Sequence, residues 1–388
     1  MEMTDPTAVG FDEQRLRRLV ETIQRDVETG FYDGAQIAVG RAGHLVVNEA
    51  VGFADRSQQR PLQTDDVLVP FSISKQLTVA TVLAFVERGL LSLTTPVADV
   101  LPDFGSRGKG NVTLFHLLTH TGGVLADVPM LPVEDIISLE RFTAYVSASA
   151  PEAPAGQRVL YSKLAAHAVM ASMLVAVDPA KRSFDVIVAE EVLQPLGMTS
   201  TTLGPPPSDR YLAPVVARYR HPAGMFTVEG IEGSAHLITA PGSQMPGAGY
   251  TTTAEDFYRF ADLLRAGGVR GGHRLLSPAM LELATRNHTG EMPNSLLDYA
   301  LQLRNWLPWP AYHGLGFFVR GDALTPGPLP NLGSKGTFGG WGAGTSCFWV
   351  DPARDVCFVL ITVGSLEDSD HLPRTQRLGD IVLGAVAD

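Results

Sequence analysis

Cysteine is nearly absent, with only Cys347 and Cys357 among 388 residues, and this excludes a disulfide-stapled scaffold. The two flank Asp351-Pro352-Ala353-Arg354-Asp355, which reads as the turn of a hairpin. On that hairpin they would stand diagonal to one another, so free buried thiols are expected. No stretch is long and apolar enough to span a bilayer, and Met1-Glu2-Met3-Thr4-Asp5-Pro6 has neither a basic flank nor an apolar segment. Cytoplasmic residence is therefore expected. An excess of positive charge is also missing. The 30 Lys and Arg residues face 41 Asp and Glu, giving a net charge of −11, which argues against nucleic acid or an anionic membrane as partner. Neither His-Glu-x-x-His, nor a phosphate loop, nor a His/Cys/carboxylate cluster with metal spacing occurs, so no metal or cofactor is expected.

What the chain does have is ordinary globular composition, 45% hydrophobic and 18% charged, at a length that usually organises two packed subdomains. Its most informative stretch is Val69-Pro70-Phe71-Ser72-Ile73-Ser74-Lys75, followed by an almost unbroken apolar run to Gly89. A run apolar on all sides predicts a helix buried in the middle of a domain, stopped by the glycine. Ser72 and Lys75, at i and i+3 of the first turn, would share a face within hydrogen-bond reach. A serine hydroxyl needs a neighbour to take its proton before it attacks. Lysine serves only when neutral, and burial near a positive helix end favours that form. The plain alternative is a helix-capping serine beside a surface lysine. A second Ser-x-x-Lys, Ser106 to Lys109, lies in Phe104-Gly105-Ser106-Arg107-Gly108-Lys109-Gly110, where no helix would hold the pair together.

Elsewhere, Leu16, Leu19, Val20, Ile23 and Val27 mark one helical face ended by Gly30. Residues 35–40 and 44–53 read as a hairpin through Arg41-Ala42-Gly43. His116 and His120 lack a carboxylate companion and read as structural, bonding loop backbone. Residues 164–177 and 184–193 are helical in pattern, and 204–250 is turn-rich. Thr253 with Asp256 resembles a capping box before a helix to about Ala266, and Ser277-Pro278 opens another. Strands are expected over 314–320, 345–350 and 356–363, then a helix from about Pro373 to Ala387. Strands at both ends with helices between imply an α+β fold: an antiparallel sheet from the N- and C-terminal segments, with a mostly helical insertion. We take residues 1–70 and 235–388 as the sheet-bearing part and 71–234 as the helical part, with the site in the cleft between them.

Five fragments, in order, carry a resemblance: Ser72-Ile73-Ser74-Lys75, Leu117-Leu118-Thr119-His120-Thr121-Gly122-Gly123, Tyr161-Ser162-Lys163, Gln194-Pro195-Leu196-Gly197-Met198, and Phe338-Gly339-Gly340 before Val350-Asp351-Pro352. From about Phe11 to Ala387 the chain resembles penicillin-recognising serine hydrolases of the class C β-lactamase-like branch, which includes the family VIII carboxylesterases. The resemblance implies the β-lactamase/transpeptidase-like fold, with Ser72 as acyl-forming nucleophile and Lys75 as its activating partner. Tyr161, which by itself reads as a partly buried core tyrosine, would shuttle the proton, and two lysines within reach would favour its phenolate. The backbone N–H groups of Ser72 and Trp341 would form the oxyanion hole, and Lys163, Phe338, Gly339, Gly340 and Trp341 would contact substrate.

Two departures from the family pattern shape the expectation. Phe338 stands where β-lactamases carry a lysine, and Lys163 where an asparagine is expected. Losing both polar handles should weaken β-lactam recognition more than acyl transfer. Gly-x-Ser-x-Gly is absent, which argues against an α/β-hydrolase. The expected activity is that of a serine carboxylesterase acting on small or medium uncharged esters, with Trp306, Trp309, Phe317, Phe338 and Trp341 as apolar walls. Rival readings are an acyltransferase, a weak β-lactamase or D-amino-acid peptidase, and a non-catalytic binding module.

Overall fold

The computed structural model describes residues 1–221, 226–296 and 298–387. Helix α1 (Glu13–Glu28) starts where the Asp12 carboxylate accepts the Arg15 N–H at 3.0 Å, and it buries Leu16, Leu19, Ile23 and Val27. Strands β1 (Gly34–Arg41) and β2 (His44–Asp55) form the expected hairpin. Its turn residues, Ala42 and Gly43, both have positive φ, as a two-residue turn matching strand twist requires. After the short β3 (Arg60–Pro61) comes a 3₁₀ turn, Phe71–Ser74, that runs directly into α2 (Lys75–Glu87). Every α2 residue from Lys75 to Phe85 is buried, so the helix is a central pillar. Helix α3 (Ala165–Val177), equally apolar, packs against it.

Helices α4 (Val228–Ile238) and α5 (Ala254–Arg265) follow. The first lies inside the stretch that sequence pattern left as turns, of which residues 222–225 are outside the described residues. Only half of the expected capping box forms at α5. Thr253 accepts the Asp256 N–H at 3.1 Å, but the Asp256 carboxylate turns away to the Ser200 N–H at 2.7 Å. Two short ribbons pair Thr202–Leu203 with Tyr250–Thr251 and Val269–Arg270 with His273–Arg274, and the strands that complete the main sheet are β4 (Phe318–Val319), β5 (Phe338–Gly342), β6 (Ser346–Asp351) and β7 (Val356–Val363), closed by α6 (Asp368–Gly384).

Strands β1 to β7 form one seven-stranded antiparallel sheet in the order β3-β2-β1-β7-β6-β5-β4, so N- and C-terminal segments meet at β1 and β7. All of β7 is buried. Val356, Phe358 and Leu360 face one apolar core with α1 and α6, while Cys357, Val359 and Ile361 face the other with α5 and α2. The cysteines need a correction. Cys347 pairs with Leu360 and Val350 with Cys357, so the two thiols are three positions out of register. An odd offset places them on opposite sheet faces instead of diagonal on one, and both are free and buried.

Two other boundaries differ. The strand expected over 314–320 shortens to Phe318–Val319, because Gly316 takes φ +78° and turns the chain toward α2. Helix α6 begins ahead of Pro373, which sits inside it, started by the Glu367 carboxylate accepting the Ser369 N–H at 3.0 Å. Lying beyond the first turn, Pro373 withholds the backbone bond that the Ser369 carbonyl would otherwise accept. Among the described residues no helix is long and apolar enough to cross a membrane.

Gly316 is where the C-terminal segment leans on the pillar. Its carbonyl accepts Gln76 Nε2 at 2.8 Å, its N–H donates to the Leu118 carbonyl at 2.8 Å, and an added Cβ would meet Val79 Cγ2 at 2.3 Å. Gly316→Ala should destabilise the fold by about 2 kcal/mol or more, combining left-handed backbone strain with overpacking. Denaturant unfolding measures it, and an unchanged midpoint would mean that the backbone there relaxes freely.

Candidate active site

Ser72 lies in the 3₁₀ turn at the head of α2, half-buried, immediately after Phe71, whose φ of +49° is strained for a residue with a side chain. The Ser74 hydroxyl donates to the Phe71 carbonyl at 2.5 Å and Ser346 Oγ donates to the Pro70 carbonyl, so the turn is held from inside and from β6. Gly342 lets β5 reach it: a Cβ there would lie 2.2 Å from the Pro70 oxygen and 2.7 Å from the Ser72 nitrogen. That close approach of strand to turn tolerates only glycine.

Lys75 carries the chemistry of the site. Its side chain is 1% exposed, and Nζ lies 2.9 Å from Ser72 Oγ and 2.6 Å from the Gly247 carbonyl. Among the described residues no carboxylate forms an ion pair with it. Burial, with the positive charge of Lys163 adding to it, brings the amine down to about 7, so a large share is neutral at physiological pH. Three buried histidines nearby do not restore charge. His120 lies 5.3 Å from His313 and 5.6 Å from His167, ring centre to ring centre. Burial pushes all three down, His313 to about 4 and the others well below the usual imidazole range.

Tyr161 reaches the same point from a separate segment. It lines the same pocket as Ser72, and its ring stacks on His120 at 4.4 Å. His120 is fixed in turn, its Nδ1 accepting the Ser162 N–H at 3.1 Å, and His116 Nδ1 accepts the Thr113 N–H at 3.1 Å. Both histidines thus bond loop backbone, as their sequence context suggests. The expected phenolate is overturned. Burial pushes the phenol up and outweighs the Ser72 hydroxyl that draws it down, with Asp368 pushing it up further. Lys75 Nζ stands over the ring, 5.2 Å from its centre. The phenol therefore keeps its proton.

The pocket in front of Ser72 is lined by Tyr161, Lys163, Trp341, Leu296, Phe226 and Asp368, with Ala343. Lys163 does point into it, ion-paired with Asp127 and lying 4.6 Å over the Phe226 ring. Arg320 N–H donates to the Thr337 carbonyl on the β4 side of β5, and Thr345 N–H to the Gly342 carbonyl on the β6 side. Since sides alternate along a strand, the Trp341 N–H leaves the sheet on the side where β4, paired only at Phe338 and Gly339, no longer covers it.

Phe338 is a correction. It is buried on the opposite side of β5, edge-on to Phe317 at 5.4 Å, and is not part of the pocket wall. Alternation explains this: three positions from Trp341, it must face the other core. Gly340 faces the same way, its missing Cβ making room for Gln76, while Gly339 allows close approach to the Phe348 carbonyl. Phe317 is likewise core, and Trp306 packs on Trp309 at 6.1 Å, away from the serine. The discarded Ser106–Lys109 pair stays apart from chemistry, since Lys109 Nζ caps the Ser106 and Ser147 carbonyls at 3.1 and 2.9 Å.

Sequence reasoning missed Gly247, Leu296, Phe226, Ala343 and Asp368. The first lies in the turn-rich stretch, and its role is a backbone carbonyl, which leaves no side-chain signal. Among the described residues no group of three or more His, Cys, Asp or Glu side chains is placed to hold a metal ion.

The protein family described as Beta-lactamase matches residues 19–382. The protein named esterase/beta-lactamase LipL, from Mycobacterium tuberculosis, is 26% identical over 355 residues, covering 85% of this chain and 77% of that protein. The crystal structure of a penicillin-binding protein homologue from Caulobacter crescentus superposes with a TM-score of 0.77 at 25% identity, over 97% of this chain and 99% of that one. A family VIII carboxylesterase superposes with a TM-score of 0.76 at 20% identity, over 95% and 98%.

The buried amine has a thermodynamic signature. Between pH about 7 and the ordinary lysine range the unfolded chain holds a proton that the folded chain lacks, so stability rises with pH there. The penalty is full below pH 7 and gone above the unfolded value. Lys75→Met should therefore melt higher relative to wild type at pH 6 than at pH 10. A gap that stays constant across that range would show the lysine to be charged in both states.

Proposed function

Because the chain belongs to the beta-lactamase family and is a serine hydrolase, we propose that it is a carboxylesterase that cleaves uncharged esters through an acyl-enzyme on Ser72. The observation that carries this reading is the buried, largely neutral amine of Lys75 at 2.9 Å from the serine oxygen. In this reading Ser72 Oγ attacks the ester carbonyl while Lys75 Nζ takes its proton. The N–H groups of Ser72 and Trp341 hold the developing oxyanion. As the tetrahedral adduct collapses, the protonated Tyr161 phenol gives its proton to the departing alkoxide and regains one from the Lys75 ammonium. Water then attacks the acyl group, its proton passing back along the same groups, and Ser72 is released.

The substrate class follows from what surrounds the serine. Lys163, the cation of the pocket, is matched by Asp127 and lies on an aromatic face, so a fixed fork for a substrate carboxylate is not offered. Phe338, expected to mark the loss of such a fork, plays no part. The same inference rests instead on Trp341, which presents an indole to the pocket. The relative bearing the name esterase/beta-lactamase supports ester cleavage as the activity. The cleft is read as lying between the helical part, 71–234, and the sheet-bearing part.

Ser72→Ala should reduce p-nitrophenyl acetate turnover to a trace while leaving circular dichroism unchanged, and only the wild-type protein should gain the acyl mass. Wild-type kcat/KM should rise with pH through an apparent pKa near 7, because the base works only when neutral. Tyr161→Phe should lower kcat by roughly 100-fold or more. Turnover retained by Ser72→Ala would refute the assignment, and a profile flat from pH 6 to 8 would remove Lys75 from the role of base.

A further inference from the structure

Along α6 lies an open groove of about 390 Å³, within the range of small-molecule sites. It is distinct from the pocket of Ser72, because no residue lines both. Three parts of the chain build it. Phe31 comes from the segment after α1, Arg304 and Trp306 from the end of the short helix Asp298–Arg304, and Asp370, Arg374 and Arg377 from α6. Three arginines thus converge on one space in a chain whose net charge is −11. Asp370 is the one acidic lining residue among the described residues. Charges of one sign gathered in a cleft repel one another and focus a positive field into it.

Pairing within the groove leaves a positive surplus. Asp370 Oδ1 accepts from Arg304 Nη2, and Arg304 Nε donates to Ser369 Oγ at 2.8 Å. Arg377 is ion-paired with Asp26. Arg374 has no carboxylate partner among the described residues, although it is only 2% exposed. Its Nη2 donates to the Gly344 carbonyl at 3.2 Å and to His371 Nδ1 at 2.6 Å, and Nη1 donates to Thr362 Oγ1 at 3.4 Å. Its buried Nε has no hydrogen-bond partner among the described residues. All three acceptors are neutral, since burial holds the His371 imidazole uncharged. A guanidinium keeps its charge, and a buried charge met only by neutral groups is costly. Arg220 adds a fourth cation, 4.1 Å over the Phe31 ring and without an acidic partner among the described residues.

The groove is also aromatic, through Phe31 and Trp306. Arginine forks match the planar geometry of a carboxylate, and aromatic rings receive a flat apolar body. We propose that this groove binds a small aromatic carboxylate, with its charge among Arg304, Arg374 and Arg377 and its ring against Trp306 and Phe31. It is a second site, and it does not rest on the esterase reading.

The test is calorimetric titration of the wild-type protein with 2-naphthoate, with its neutral counterpart 2-naphthalenemethanol, and with acetate. Naphthoate should saturate a single site and bind roughly tenfold or more tightly than either, the difference that charge-assisted hydrogen bonds make. Arg374→Gln should weaken naphthoate by a similar factor. Arg304→Gln and Arg377→Gln, at partly exposed positions, give the same readout should Arg374→Gln fail to fold by circular dichroism. Trp306→Ala should bring naphthoate toward the affinity of acetate. Lys163→Gln should bind naphthoate as wild type does, because Lys163 faces the other pocket.

Equal affinity for naphthoate and the alcohol overturns the proposal, as does naphthoate binding that is unchanged in the arginine variants. Acetate binding as tightly as naphthoate would show a site for charge alone and contradict the aromatic class. Naphthoate binding lost in Lys163→Gln but kept in the arginine variants would put the anion beside Ser72 and also overturn it.

Discussion

An amine held in the protein interior, with no carboxylate partner among the described residues, is the constraint on which the rest of the site depends. Charge on Lys75 is disfavoured because α2 is buried on every side and the second positive group, Lys163, faces the same pocket. Its two hydrogen-bond partners, a hydroxyl and a backbone carbonyl, orient the amine without fixing its proton. The three adjacent imidazoles remain neutral for the same reason. A carboxylate at Gly247, or solvent reaching the first turn of α2, would restore the ammonium and leave Ser72 with no acceptor for its proton.

The fold serves this arrangement by bringing three separate segments to one helix terminus. The sheet supplies β5, which comes within contact of the Ser72 turn only because Gly342 has no side chain. The helical region supplies Tyr161, clamped by His120. The loop through Gly247 closes over the amine, and Thr78, one turn along α2, anchors that loop through the Pro246 carbonyl at 2.9 Å. The strained backbone of Phe71 is the local consequence of aiming the serine at this junction.

How much of this could be read from the chain depends on whether a feature is local. The pillar helix, its glycine stop and the Ser72–Lys75 pair follow from spacing alone, and so does the β1–β2 hairpin. The antiparallel joining of chain ends follows from element order. Reading failed where a tertiary partner decides. Phe338 was assigned to the cleft because it opens a motif, yet strand alternation from Trp341 sends it to the far core. The resemblance implies an ionised Tyr161 because two lysines would lie within its reach, but burial dominates and Lys75 meets the ring face. The cysteines were placed diagonally because the hairpin's register was not known to one residue, and one residue is enough to change faces. Gly247 left no trace at all, since backbone carbonyls carry no residue-type signal.

The account stands or falls on the charge of one amine. The most direct measurement is an NMR titration of the Lys75 side chain, labelled in the lysine ε position and identified by its loss in Lys75→Met. A midpoint near 7 is the result this account expects. A midpoint in the ordinary lysine range, near 10.5, would show an ammonium beside Ser72 throughout and contradict it.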